Sequence, residues 1–179
     1  MRIAHLIYDS PENPWLGGGG AVRCHEINRR LVQQGHRVCV ICGGYPGCRD
    51  RVVDGVAYYH TRVSPSYLCS RLLYSWDCRR LFRKMRSAEQ YDLIIEDFSA
   101  FSWAWTWLVA DIPRILLVHH VLGEQIREKY PGWAEILRWV EKWSIRRHRY
   151  IIAVSSGTGN ALKRLHPKGL VEIVYNGVN

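Results

Sequence analysis

Residues 3–34 read IAHLIYDSPENPWLGGGGAVRCHEINRRLVQQ: an apolar run (3–8), a loop with two prolines (9–16), four glycines (Gly17 to Gly20) and a helix-like run (21–34). Strand, glycine loop and helix in that order bring backbone N–H groups against an anion in α/β proteins. Glycine allows the close backbone approach, and the helix N-terminus adds about half a positive charge, so phosphate is the natural guest. A bare glycine run is also how a plain surface loop reads, so its surroundings decide.

Those surroundings exclude two nucleotide sites. A dinucleotide fold needs G-x-G-x-x-G directly after the first strand and an acidic residue closing the second. Here a prolyl loop intervenes, and the second strand (37–42) runs into Cys42-Gly43-Gly44. No Gly-Lys-Ser/Thr follows the glycines either, which excludes a P-loop.

The chain of 179 residues suits one domain with a sizeable core. Residues 3–8 are too short for a signal peptide, and the longest weakly charged stretch, 98–110, is shorter than a bilayer span of about 20 residues. The expected protein is therefore cytoplasmic, either soluble or peripheral on the inner membrane face, with its six cysteines reduced. His36, Cys39, Cys42 and Cys48 have zinc-like spacing, but positions three apart on a strand point to opposite faces. No metal is expected.

A net charge of +9 accompanies eight Trp and ten Tyr. Basic residues gather at 67–86, where Arg71, Arg79, Arg80, Arg83, Lys84 and Arg86 interleave with Leu72, Leu73, Tyr74, Trp76, Leu81 and Phe82. This reads as a basic amphipathic helix able to lie on anionic lipid, with Arg79, Arg80, Arg83 and Lys84 as the contacts. A solvated helix face above an ordinary core stripe is the plain alternative. Residues 138–149 repeat the theme. No nucleic-acid reader motif accompanies the charge.

Strands are predicted at 3–8, 37–42, 56–61, 92–96, 115–119, 150–154 and 171–174, and helices at 21–34, 66–86, 100–109, 133–147 and 156–165. Gly35 stops the first helix, Asp54-Gly55 turns the chain into the third strand, and Ser155 N-caps the last helix. Alternating β and α elements give a Rossmann-like parallel sheet with helices on both faces. Ligands then belong at the strands' carboxyl ends, where the loops 9–20, 97–99, 119–124 and 155–159 are expected to meet.

Six ordered motifs resemble the N-terminal, acceptor-side domain of family 4 glycosyltransferases of the retaining GT-B type. They are the glycine loop with its helix; Gly35-His36-Arg37-Val38; Tyr91-Asp92-Leu93-Ile94-Ile95; Pro113 to His119 followed by His120; Ile152-Ala153-Val154-Ser155; and Val174-Tyr175-Asn176-Gly177-Val178. Together they cover essentially the whole chain, which then stands as one half of a GT-B fold, residues 1–179.

The resemblance implies an enzyme that transfers a sugar from a nucleotide-sugar donor to a lipid-linked or envelope carbohydrate acceptor, with no other cofactor. Gly18, Gly19 and Gly20 would approach the donor diphosphate or the acceptor. His119 would be the cleft histidine beside the transferred sugar, donating to a hydroxyl or stabilising an oxocarbenium. Asp97, His120 and Glu124 are secondary substrate-binding candidates. Two departures accompany it: Ser156 stands where an acid or Gln is common, and Asn179 where Asp is usual. The donor-binding half, with its basic pair and two glutamates, has no counterpart in these residues. It would come from a longer enzyme or a partner chain, or be lacking in a shortened gene product; the alternative reading is a non-catalytic half-domain that docks on a membrane or partner.

Overall fold

The computed structural model describes residues 1–15, 18–99, 103–108, 111–123, 126–129 and 131–177. They form two compact units, residues 1–97 with 101–113, and residues 98–100 with 114–179.

In the first unit β1 (Arg2–Leu6) lies between β2 (Arg37–Cys42) and β5 (Leu93–Asp97), parallel to both. Beyond β2 runs parallel β4 (Val56–His60), edged by antiparallel β3 (Arg51–Val53). The expected parallel sheet thus forms, with one antiparallel strand added at its edge. The reason is the Asp54-Gly55 turn: both residues have positive φ, 50° and 79°, which closes a tight two-residue hairpin.

Helices cover both faces of β1, because successive side chains of a strand point oppositely. Ala4 and Leu6 pack against Tyr74, Cys78 and Phe82 of α2 (Tyr67–Ala88). His5 turns the other way, to Cys24 and Asn28 of α1 (Gly19–Gln33). Helix α2 buries Ser70, Tyr74, Cys78 and Phe82 at four-residue spacing, the stripe of a helix lying on a sheet. Helix α1 ends as expected: Gly35 has φ 85°, its N–H reaches Val32 O at 2.9 Å, and His36 N–H reaches Leu31 O at 3.1 Å. These two bonds and the left-handed residue make a Schellman cap.

The helix predicted at 100–109 does not form as such. Residues 103–105 are irregular and Thr106–Leu108 make one 3₁₀ turn, while 100–102, 109 and 110 lie outside the described residues. Buried Glu96 gives the cause, accepting from the N–H groups of Ala104, Trp105 and Thr106 at 3.0, 3.0 and 3.2 Å. A helix would need some of those donors for itself. Trp105 also has φ 50°, incompatible with helix.

In the second unit β6 (Arg114–Val118), β7 (Tyr150–Ala153) and β8 (Leu170–Ile173) are parallel. Their alternate residues Leu116, Val118, Ile151 and Ala153 pack with Ile145 of α4 (Ala134–Arg146) and Leu162 of α5 (Ser156–Leu165). A short α3 spans Ile126–Lys129. Ser155 caps α5 as predicted, its Oγ accepting from Thr158 N–H at 3.2 Å.

Candidate functional site

The glycine loop feeds α1 earlier than its apolar period indicates. Gly18 is the N-cap, with φ −85° and ψ 178°, and Gly19 and Gly20 are the first two helical residues. A Cβ added at Gly18 or Gly19 would meet nothing within 4 Å. Neither packing nor, at Gly18, backbone conformation calls for glycine. The first N–H groups of the helix are those an α-helix leaves without intrahelical partners.

Asp97, the expected rim ligand, ends β5 but points inward and is 7% exposed. Its Oδ2 accepts from His5 Nε2 at 3.1 Å, while His5 Nδ1 donates to Asn28 Oδ1 at 3.1 Å. Asn28 in turn donates to Cys24 Sγ at 3.2 Å, and His5 and Asn28 are both fully buried. Oxygen acceptors thus face both ring nitrogens, with Cys24 Sγ 3.5 Å from Nδ1, a setting that favours the protonated imidazole. Burial opposes that charge, but Cys24 and Asp97 outweigh it and raise His5 well above the ordinary imidazole value. The ligand atoms of His5, Cys24 and Asp97 lie within 4.8 Å of one another. Because the ring presents one nitrogen to the thiol and the other to the carboxylate, the group is a hydrogen-bonded chain and not a chelate. It ties β1, α1 and β5 together directly beneath the glycine helix.

His119 and His120 belong to the second unit. β6 ends at Val118, so half-buried His119 is the first residue past its carboxyl end. Its carbonyl accepts from Thr158 Oγ1 at 3.3 Å, and Thr158 Oγ1 also accepts from the capping Ser155 Oγ at 3.0 Å. The loops after β6 and β7 therefore meet, as expected, and fix the backbone at His119. Glu141 holds the same loop from below: buried on α4, it accepts from Leu122 N–H at 2.6 Å. Burial pushes its carboxyl above the usual range, against those backbone donors. Glu124 lies outside the described residues.

On α2 the four basic contacts differ. Arg79 is half-buried with its guanidinium over the Trp76 and Trp105 rings, at 5.7 and 5.4 Å. Arg80, Arg83 and Lys84 are exposed. One turn and more N-terminal, Leu68, Leu72, Leu73 and Trp76 are also exposed, Trp76 by 64%. The outer face is therefore apolar in its first half and basic in its second.

Glu96, Glu141 and His5 did not stand out in the sequence, although each is an ionisable residue inside an apolar period, which is the signal that finds such groups.

A sequence profile described as Glycosyltransferase Family 4 matches residues 17–179. An uncharacterised glycosyltransferase of Methanocaldococcus jannaschii is 23% identical over all of this chain and 47% of its own length. An alpha-maltose-1-phosphate synthase of Mycobacterium tuberculosis is 26% identical over all of this chain and 45% of its own. The chain thus spans about half the length of the curated relatives it matches. Among solved structures, sucrose-phosphate synthase from Thermosynechococcus elongatus superposes with a TM-score of 0.76 at 18% identity, over 99% of this chain and 48% of that one. Phytolacca americana UGT2, complexed with UDP-2fluoro-glucose and pterostilbene, gives 0.64 at 11% identity, over 99% and 52%.

Proposed function

The chain belongs to glycosyltransferase family 4, and we propose that it forms the acceptor-side half of a retaining transferase. That enzyme moves a sugar from a nucleotide-sugar donor to a lipid-linked or envelope carbohydrate at the cytoplasmic membrane face. The observation that carries this reading is the family match over residues 17–179, which takes in the glycine loop, both histidines after β6 and the final Asn-Gly turn. In this reading the first-turn N–H groups at Gly18, Gly19 and Gly20 bind the donor diphosphate or the acceptor. His119 is catalytic, and His120 and Glu124 bind substrate. Asp97 contributes by setting the end of β5 through His5. No metal is needed, since the positive ends of helices and backbone donors supply the charge.

Relatives of about twice the length support a donor-binding half on a further domain or partner chain. The 179-residue chain alone should then give no steady nucleotide release from UDP-, GDP- or ADP-sugars with added acceptor, because one wall of a cleft neither excludes water nor aligns two substrates. Steady turnover by the purified chain would overturn the two-half assignment.

The exposed Leu68, Leu72, Leu73 and Trp76 beside Arg80, Arg83 and Lys84 favour peripheral membrane binding, in the transferase or in a non-catalytic docking half-domain. No helix among the described residues is long and apolar enough to cross a membrane. Sedimentation should show the chain pelleting with anionic vesicles and staying in solution with neutral ones. Moderate salt or glutamine at Arg79, Arg80, Arg83 and Lys84 should release it. Equal pelleting with both vesicle types would refute an electrostatic dock.

A further inference from the structure

Helix α4 of the second unit carries an apolar face besides the one it packs inward. Leu137, Val140 and Ile145 are buried. Outside that face stand Trp133, Ile136 and Trp139, 65, 55 and 61% exposed. Trp143 stacks on Trp139, with ring centroids 5.6 Å apart and planes at 10°, and the Arg147 guanidinium lies 5.3 Å over the Trp143 ring. Steps of three and four residues from 133 to 147 keep these side chains on one stripe about 20 Å long. Contiguous exposed apolar surface of this kind marks an interaction site.

The charge beside the stripe indicates what it meets. Arg138, Lys142 and Arg146 recur every four residues, so they form a row alongside Trp139, Trp143 and Arg147, which share that spacing. Arg149 follows, its guanidinium 5.6 Å over the exposed Tyr150 ring. Of the two acids in 133–149, Glu141 is buried, and Glu135 accepts from Arg127 and Arg138 at 2.7 and 3.4 Å. The tryptophans therefore sit in a basic surround. An anionic bilayer complements both properties. Tryptophan rings settle at headgroup depth, while Arg and Lys keep apolar stems on the stripe and carry their charge to the lipid phosphates. Stacking also holds Trp139 in place beforehand, so less rotamer freedom is lost on insertion.

We propose that α4 lies in the headgroup layer of an anionic membrane, with Trp133, Ile136 and Trp139 immersed and the row Arg138, Lys142 and Arg146 on lipid phosphates. This contact is separate from the α2 contact and rests neither on it nor on the transferase reading. Alone it is a weak anchor, since lasting attachment takes two signals.

Partition of the 179-residue chain into phosphatidylcholine–phosphatidylglycerol vesicles tests it. Trp133→Ala with Trp139→Ala should weaken partition roughly tenfold per ring, from the apolar area no longer withdrawn from water. Both side chains are exposed, so the melting temperature should hold. Trp133→Phe with Trp139→Phe should keep most of the partition yet lose part of the tryptophan quenching by brominated lipid, because those two rings no longer report. The α2 glutamine variant should need more lipid to bind, and its quenching should fall in the same way. Unchanged partition in the alanine pair, quenching that the phenylalanine pair leaves intact, or equally tight binding to pure phosphatidylcholine would each overturn the proposal. So would a wild-type dimer made monomeric by the alanine pair, because a second copy would then cover the stripe. Partition lost in the alanine pair but untouched in the α2 glutamine variant would uphold α4 and defeat the α2 contact; the reverse would defeat α4 alone.

Discussion

Asp97→Ala should lower the unfolding free energy of the first unit by about 3–5 kcal/mol, the usual cost of stranding one member of a buried ion pair. For a chain of this size that is on the order of 10 °C in melting temperature. The expectation follows from His5, fully buried, donating from one nitrogen to Asp97 and from the other to Asn28 beside Cys24. It carries a pH signature. His5 is raised in the folded chain, so its contribution is complete below the unfolded imidazole value of about 6.5 and is lost as pH rises through the folded value. The stability gap between the wild type and His5→Gln should therefore be widest near pH 6 and narrow above pH 7. Urea unfolding at several pH values measures it. A gap that stays constant would mean that His5 is neutral in the native state.

In the enzyme assembled with its donor half, His119→Ala should lower kcat by about a hundredfold or more, roughly 2.7 kcal/mol of transition-state stabilisation. The fold should survive, because backbone groups hold this loop: the His119 carbonyl accepts from Thr158 Oγ1, and Leu122 N–H donates to Glu141. Circular dichroism melts of the variant should match the wild type. An unchanged kcat with a normal melt would leave His119 only a structural place at the end of β6.

Local chemistry made much of this fold legible from residues alone. Strand β2 and helix α5 fall at residues 37–42 and 156–165, as their signals predict, because Gly35 and Ser155 mark their starts within the chain itself. What stayed hidden was decided by partners far away in sequence. The aromatic run 103–108 has a helical composition, yet Glu96 takes its N–H groups. Strand β3 is only three residues long at a sheet edge, below what periodicity resolves, although Asp54-Gly55 is itself a hairpin signal. The site divides the same way. The glycines and His119 announce themselves through ordered motifs. Asp97 reads as a rim acid until His5, 92 positions away, draws it inward.

The central place of β1 also governs how the protein is born. The ribosome makes this strand before either neighbour, and one of the two, β5, follows only after roughly 90 further residues. At about 5–20 residues per second, the nascent chain carries a half-paired apolar strand for several seconds. Its exposed edge, from Ile3 to Leu6, is then open to pairing with other chains. Slower translation between residues 42 and 93 should therefore lengthen that exposure and lower the yield of folded protein.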